Sequence, residues 1–279
     1  MIAVTRFHAA AEAMAAIGAR AAVDPAAMPD RVTDAVDDVL AAAGVPDLGL
    51  LEAPQRAMVA AYVRSAFGQT AHLLADPTRA EGWSYTDVAV LEGQGRASMG
   101  VPPMIAAAAQ ITEVGTLLDV GTGVGWLAVA ATRVWPGCRV VGIDLWEASV
   151  ERARANVAES GLADIIEIRL QSVADLPDRD RFDLTWLPSF YLLPSVLPAA
   201  CKRILAATQP GGQIVVGRYD APPDPLAAAT LRLRLIRDGG TWLEPGELTD
   251  LLASSGWSDV RVLPKAGPPG MTLVAGRKD

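Results

Sequence analysis

The chain has 279 residues, of which 51% are hydrophobic and 20% charged, and its formal net charge is −8 at pH 7. This composition is typical of a globular protein and excludes disordered and fibrous classes. The acidic balance argues against a nucleic-acid-binding groove, because phosphate binding needs clustered Lys and Arg. No apolar run approaches the ~20 residues that cross a bilayer, and the N-terminal segment lacks a signal-peptide core. We therefore expect a cytoplasmic protein that binds neither membrane nor nucleic acid.

The first part of the chain predicts helices. Apolar residues at helical spacing indicate a first helix that ends near Asp24-Pro25, a second over about 30–43 and a third over about 54–75. The stretch 78–100 is rich in glycine and aromatic residues and has no clear period. We predict an all-helical module over residues 1–100, which serves substrate binding or the formation of a homodimer.

From residue 101 the pattern changes to short apolar runs that alternate with helix-length segments. The runs near 116–120, 140–143, 165–170, 182–187 and 213–217 predict parallel strands covered by helices on both faces. Two last runs, 260–263 and 271–275, flank a Pro/Gly turn at 264–270 and predict an antiparallel hairpin. Residues 101–279 are thus predicted to form one α/β domain around a mostly parallel, seven-stranded sheet.

A glycine turn follows the first predicted strand and passes directly into a helix. It reads Gly121-Thr122-Gly123-Val124-Gly125. Glycines here allow a tight turn and let a ligand lie against bare backbone at the carboxyl edge of the sheet. Asp144 ends the next strand, about 20 residues after the turn, where an acid accepts hydrogen bonds from ribose hydroxyls. Turn and acid together predict a ligand that contains adenosine.

Two residues around the turn distinguish between adenosine ligands. Trp126 stands where a dinucleotide-binding turn needs a third glycine for helix packing. Asp119, just before the turn, would repel a pyrophosphate but suits a cationic ligand that carries a sulfonium and an amino acid. The pattern therefore favours a sulfonium cofactor over a dinucleotide.

The segment from Asp119 to Gly125, together with Asp144 and the turn at 210–212, resembles class I S-adenosylmethionine (SAM)-dependent methyltransferases. The resemblance covers about residues 101–278 and implies a Rossmann-like methyltransferase fold with SAM as cofactor. It implies that Gly121 and Gly123 lie under the methionine part and that Asp119 orders the loop near its amino group. Asp144 would then hold the ribose.

The resemblance also implies contacts on the adenine side. Leu145 and Trp146 would lie beside the adenine ring. Ser172 stands where many members of the family have an acid that accepts from the adenine amine, and Val173 would offer its backbone N–H. The predicted cofactor contacts are Arg96 (as a donor to the methionine carboxylate), Asp119, Gly121, Thr122, Gly123, Gly125, Asp144, Leu145, Trp146, Ser172, Val173 and Leu187.

The residues after the fourth predicted strand bear on the methyl acceptor. Members of the family that methylate amide or nucleobase nitrogens often carry an acid or Asn, then Pro-Pro and an aromatic residue, at this place. This chain has Leu187-Pro188-Ser189-Phe190, with no amide or carboxylate to accept amine hydrogens. We therefore expect a small organic acceptor, with oxygen favoured over nitrogen or carbon.

Catalytic groups are harder to identify, because in-line methyl transfer can proceed by positioning alone, without a base. If a base is used, His72 is the candidate, since His titrates near neutral pH. Tyr85 and Tyr191 are candidates for hydrogen bonds to the substrate, and packing is the competing reading for each. Cys138 and Cys201 have no His or Cys nearby in sequence, so we predict no metal site.

Three alternatives stay open. The first is a SAM-binding or scaffold protein without catalysis. The second is a nicotinamide-dependent oxidoreductase, against which Trp126 and the predicted C-terminal hairpin both count. The third is an aminopropyl transferase, which would need an acid-rich loop for a polyamine where this chain has an apolar one at 187–190.

Overall fold

The structure is a computed structural model that describes residues 2–23, 27–266 and 270–279. The chain divides into two compact units, a helical unit (Met1–Pro77 and Asp87–Ala97) and a sheet unit (Thr78–Thr86 and Ser98–Asp279). The boundary near residue 100 expected from sequence differs from this division, because the segment 78–86 belongs to the sheet unit. Arg79, Gly82 and Tyr85 bind it there through hydrogen bonds to residues 237 and 238.

The helical unit consists of α1 (Ile2–Ala22), α2 (Asp30–Ala42), α3 (Ala53–Ala75) and α4 (Val88–Ala97). The expected end of the first helix at Asp24-Pro25 lies outside the described residues. Helix α4 occupies the glycine-rich stretch that showed no clear period. Its glycines permit close helix packing, since a Cβ at Gly93 would lie 3.0 Å from Ser65 Cβ of α3.

Many apolar side chains of the helical unit are exposed. Val4 is 72% exposed, Phe7 56% and Tyr62 62%. One buried cluster of this unit consists of Ala21, Leu40, Leu48 and Ala60, and Val63, Val90 and Leu91 are buried as well. The helical spacing therefore predicted the helices themselves, but only some of the apolar side chains at that spacing are buried.

The sheet unit contains seven strands in the order β3-β2-β1-β4-β5-β7-β6. They are β1 (Thr116–Val120), β2 (Arg139–Asp144), β3 (Ile166–Leu170), β4 (Phe182–Pro188), β5 (Thr208–Tyr219), β6 (Ser258–Val262) and β7 (Met271–Arg277). Strands β1 to β5 run parallel, and β7 pairs antiparallel with both β5 and β6. The helices are α5 (Val101–Ala109), α6 (Trp126–Val134), α7 (Glu147–Glu159), α8 (Leu197–Ala207), α9 (Pro225–Arg237) and α10 (Pro245–Ser254).

This architecture confirms the expected Rossmann-like methyltransferase fold with its antiparallel C-terminal hairpin. Successive residues of a strand point to opposite faces, so Leu117 joins one buried cluster and Leu118 the other. Burial on both faces explains why the central strands β1, β2 and β4 are mostly apolar. Of the expected turn at 264–270, residues 267–269 lie outside the described residues.

The strand order places the site. The order reverses between β1 and its neighbour β4, and ligands bind at such a switch point, outside the carboxyl ends of the strands. The glycine turn after β1, Asp144 at the end of β2 and Pro188 at the end of β4 all lie at this edge of the sheet.

Candidate functional site

The glycine turn joins β1 to α6 in a left-handed backbone conformation. Gly121, Gly123 and Gly125 have φ angles of +66°, +55° and +84°, which residues with a Cβ rarely adopt. A Cβ at Gly125 would lie 3.3 Å from Ala153 Cβ, so this glycine permits α6 and α7 to pack closely. A Cβ at Gly123 would meet nothing within 4 Å. Gly123 thus presents bare backbone to open space.

Asp144 closes the turn from the neighbouring strand. Its Oδ2 accepts from the Gly123 N–H at 2.9 Å, and its Oδ1 accepts from the Trp146 N–H at 2.8 Å. A carboxylate offers about four acceptor positions, so each oxygen keeps capacity for a further donor. Burial raises the pKa of Asp144, and the backbone N–H bonds oppose that shift. The half-buried carboxylate therefore fits a pair of ribose hydroxyls.

Asp119 lies beneath the turn and is only 1% exposed. Its Oδ2 accepts from Thr122 Oγ1 at 2.7 Å, while its Oδ1 has no hydrogen-bond partner among the described residues. Burial, with a smaller contribution from the charge of Asp144, raises the pKa of Asp119 to about 7. The hydrogen bond from Thr122 lowers the pKa and opposes this shift. A buried acceptor without a partner is costly. A ligand cation would satisfy the free oxygen and favour the ionised form.

On the expected adenine side, the side chains of Leu145, Trp146 and Ser172 differ in exposure and in hydrogen bonding. Leu145 is 72% exposed at the edge of the site. The Trp146 indole Nε1 donates to the Tyr85 carbonyl at 2.7 Å. Ser172 Oγ accepts from the Ala174 N–H at 3.1 Å and caps a short 3₁₀ turn. That bond uses one of the hydroxyl's two lone pairs, so a bond from Ser172 to an adenine amine stays a prediction.

The three remaining expected cofactor contacts are Val173, Leu187 and Arg96. Val173 is buried at the start of the 3₁₀ turn. Leu187 is 0% exposed and belongs to a buried cluster of the sheet unit. A cofactor contact by this residue stays a prediction. Arg96 belongs to α4 of the helical unit, where its Nε lies 3.7 Å from Glu92 Oε2. Its role toward a carboxylate stays a prediction.

The two tyrosine candidates belong to the sheet unit, whereas His72 lies on α3 of the helical unit. The Tyr85 hydroxyl donates to Asp238 Oδ1 at 3.0 Å. Tyr191 forms a hydrogen bond with Tyr219. Burial raises the pKa of both Tyr85 and Tyr191 above that of an ordinary phenol. Both hydroxyls therefore stay protonated near neutral pH, which suits hydrogen-bond donors and not bases.

An aromatic ring connects these two tyrosines. Trp83 lies edge-to-face with both, with ring centroids 4.9 Å from Tyr85 and 5.4 Å from Tyr191. The structure thus brings together two candidates separated by about a hundred residues of sequence. The contact between Trp83 and Tyr191 has no local sequence signal, because Trp83 lies before the sheet and Tyr191 follows β4.

Sequence reasoning missed a buried acid and its cationic partner. Asp238 follows α9 and is 3% exposed, and Arg79 Nη2 lies 3.7 Å from its Oδ1. Burial raises the pKa of Asp238 to about 6, although Tyr85 and the nearby arginines oppose the shift. Tyr85 and Asp238, which share a hydrogen bond, lie 153 residues apart in the sequence. No spacing pattern in the sequence could indicate this pairing.

The described residues form neither a metal-type cluster nor a membrane-spanning helix. Within 2–23, 27–266 and 270–279, no group of three or more His, Cys, Asp and Glu residues is arranged to hold a metal ion. Within the same ranges, no helix has the length and apolar character to cross a membrane. Cys138 and Cys201 are both buried and free.

Residues 117–212 match the family model described as "Methyltransferase domain". Among curated proteins, the chain is 33% identical over 171 residues to nocamycin O-methyltransferase of Saccharothrix syringae, which covers 53% of this chain and 60% of that protein. It is 32% identical over 101 residues to demethylmenaquinone methyltransferase of Symbiobacterium thermophilum, which covers 36% and 40%. The chain thus spans between two fifths and three fifths of the length of these relatives.

Solved structures resemble nearly the whole chain. Human N-acetylserotonin methyltransferase in complex with SAM has a TM-score of 0.71 at 16% identity, covering 99% of this chain and 96% of that one. Mitomycin 7-O-methyltransferase has a TM-score of 0.69 at 22% identity, covering 99% and 97%. At these identities the likeness establishes the fold, from the N-terminal helices to the C-terminal hairpin.

Proposed function

We propose that this chain, whose residues 117–212 match a methyltransferase domain, uses SAM to methylate a small organic molecule. The observation that carries the proposal is the buried Asp119, whose Oδ1 has no partner among the described residues, beneath a turn open at Gly123. A ligand with a cationic group and a ribose satisfies both Asp119 and Asp144. A dinucleotide would place a pyrophosphate near the buried acid.

The chain's own residues act by binding and orientation. When bound, SAM supplies a methyl group on a sulfonium, which an acceptor takes in an in-line displacement. The Asp144 carboxylate would accept from ribose hydroxyls, and the Asp119 carboxylate would balance positive charge. Gly121 and Gly123 would let the ligand approach the backbone. Holding donor and acceptor in line accounts for much of the rate of such reactions without a base.

The acceptor is proposed from the residues that follow β4. Leu187 stands where a nitrogen-methylating enzyme would need an acid or amide. The rings of Trp83 and Tyr191 add apolar surface. The phenol hydroxyls of Tyr85 and Tyr191 add polar groups to these rings. We favour an oxygen acceptor, and the O-methyltransferase activity named for the nocamycin and mitomycin enzymes supports it.

The second proposed partner is another copy of this chain. The helical unit leaves large apolar side chains exposed, among them Phe7, Tyr62 and Leu74 at 56%, 62% and 84%. Exposed apolar surface of this kind favours association, which supports the expected homodimer.

Calorimetry of the purified chain tests the proposed function. SAM and its demethylated product S-adenosylhomocysteine (SAH) are expected to bind at micromolar or tighter affinity, and NAD to give no heat. Binding of NAD without binding of SAM would overturn the proposal. Transfer of a labelled methyl group from SAM to a panel of phenols and amines then separates an oxygen acceptor from a nitrogen acceptor.

A matched pair of glycine variants tests the position of the cofactor. Gly123 and Gly161 both have positive φ angles, +55° and +69°, and a Cβ at either would meet nothing within 4 Å. Replacing either by Ala therefore costs roughly 1–2 kcal/mol of stability through backbone strain. Only Gly123→Ala places a methyl group in the proposed cofactor space, so it alone should weaken SAH binding, by about tenfold or more. Equal SAH affinity in both folded variants would contradict the assignment.

A further inference from the structure

The proposed function uses the Trp83 ring and the Tyr85 hydroxyl of the segment 78–86, here called the strap, but not the bonds that hold this segment in place. It has no regular secondary structure and belongs to the sheet unit, although the residues before and after it in sequence belong to the helical unit. Such a segment needs side-chain and main-chain bonds to hold a defined position, and two groups of bonds supply them.

The first group of bonds holds the strap to the end of α9. Gly82 N–H donates to the Arg237 carbonyl at 2.9 Å, and Arg79 Nη2 donates to the same carbonyl at 3.1 Å. The Tyr85 hydroxyl donates to Asp238 Oδ1, and Arg79 Nη2 lies 3.7 Å from that oxygen. Tyr85 is 2% exposed and Asp238 3% exposed. Hydrogen bonds to a buried charged group are strong, and breaking one is costly.

The second group consists of one bond, which connects the strap to the proposed cofactor site. The Tyr85 carbonyl accepts from Trp146 Nε1 at 2.7 Å. The main-chain N–H of the same tryptophan donates to Asp144 Oδ1 at 2.8 Å, and Asp144 Oδ2 accepts from Gly123. A continuous chain of bonded groups therefore runs from Asp238 through Tyr85 and Trp146 to the ribose-binding acid.

Trp146 has particular need of this bond. Its neighbour Leu145 is 72% exposed, so the loop after β2 gains little from packing at that position. The indole Nε1 is a donor only, and its bond to a buried residue fixes the side chain and the main chain that carries it. The orientation of the Asp144 carboxylate depends on that main chain, because its Oδ1 accepts from the Trp146 N–H.

We propose that Tyr85 is a positioning residue for the cofactor site: its hydroxyl, held by Asp238, fixes its carbonyl, which holds Trp146 and thereby the Asp144 carboxylate. The inference rests on the proposed function for the identity of the ligand, but the positioning itself is a property of the ligand-free chain. Tyr85 acts through Trp146 and does not itself contact the cofactor.

The test is a double-mutant cycle on SAH affinity, measured by calorimetry. Tyr85→Phe removes only the hydroxyl and is expected to weaken SAH binding by about fivefold, the size of one lost hydrogen bond. Trp146→Phe removes the indole donor and should weaken binding by about tenfold. If Tyr85 acts through Trp146, the two effects are not additive, so Tyr85→Phe should have almost no effect in the Trp146→Phe background. Additive effects, or unchanged affinity in a folded Tyr85→Phe variant, would overturn the proposal.

Two further variants separate positioning from general destabilisation. Trp257 Nε1 also donates to a carbonyl, that of Cys201 at 3.2 Å, and lies in the same unit. Trp257→Phe should therefore lower stability but leave SAH affinity unchanged. Asp238→Asn keeps an acceptor oxygen for Tyr85 and should retain most of the affinity that Asp238→Ala loses. Equal losses in Asp238→Asn and Asp238→Ala would contradict the hydroxyl bond as the cause.

A ligand-free measurement keeps this inference separate from the proposed function. Hydrogen–deuterium exchange of a peptide that spans residues 143–147 should be faster in Tyr85→Phe than in the wild type and unchanged in Trp257→Phe. If the wild type binds no SAH, the proposed function fails and the exchange result alone decides the positioning. If the wild type binds SAH but exchange and affinity are unchanged in Tyr85→Phe, only the positioning is refuted.

Discussion

Asp119→Asn is expected to gain stability relative to the wild-type protein as the pH rises from 5 to 8, by about 3 kcal/mol. The folded-state pKa of Asp119 is raised to about 7 from 3.8, chiefly by burial. A group with a raised pKa contributes stability below its unfolded pKa and loses it as the pH rises through the folded pKa. Between those two pKa values the unfolded chain ionises Asp119 while the folded chain keeps it protonated, so folding has to take up a proton. An amide has no proton to lose, so the variant does not carry this cost.

Urea unfolding of the ligand-free proteins at several pH values measures this difference. Asp178→Asn is a control of opposite sign, since Arg169 and Arg181 hydrogen-bond to Asp178 and lower its pKa. That variant should lose stability relative to the wild type once the pH exceeds the pKa of an unfolded carboxyl group. If the wild type and Asp119→Asn show parallel pH dependence, the carboxyl of Asp119 is not buried as the structure has it.

Asp144→Ala is expected to weaken SAH binding by about 1–3 kcal/mol, a factor of roughly five to 150. The variant removes the proposed acceptor for the ribose hydroxyls. It also removes the acceptor that holds the N–H groups of Gly123 and Trp146 in their present positions. The first loss acts on the bound state and the second already on the ligand-free site, and both should lower the affinity that calorimetry with SAH measures.

Asp175→Ala is the matched control for this variant. Asp175 is an exposed acid in the turn that follows β3, close in sequence to Ser172. It changes the net charge by the same amount as Asp144→Ala without touching the bonds around the glycine turn. Similar SAH affinities for the two variants would show that Asp144 does not bind the ribose.

Much of the sheet unit was predictable because its determinants are local. The expected strand 116–120 agrees with β1 as Thr116–Val120, since an apolar run between turn residues has few alternatives. The glycine turn and Asp144 were predictable for a similar reason. Positive φ angles select glycine, and the register of β1 with β2 pairs Val120 with Ile143, just before Asp144. Strand order then brings turn and acid together.

Other parts of the site depended on contacts that no local pattern carries. Leu187 falls within the apolar end of β4, and whether its side chain faces the site or the core depends on pleat and packing. The structure buries it completely. Ser172 was expected to face an adenine amine, but its hydroxyl also caps the turn that follows β3. The sequence does not indicate whether a hydroxyl of this kind forms its local or its long-range hydrogen bond.

The sequence by itself determined the fold class, the glycine turn after β1 and the acid at the end of β2. Periodicity, glycine conformation and strand register are short-range properties, so the chain encodes them locally. Only the tertiary structure decided that 78–86 belongs to the sheet unit and that Asp238 is paired with Tyr85 and Arg79. It also showed that one oxygen of Asp119 has no partner among the described residues. Burial and the pairing of charges depend on which distant segments fold against each other. Those long-range contacts therefore set the pKa values and the hydrogen bonds around the site.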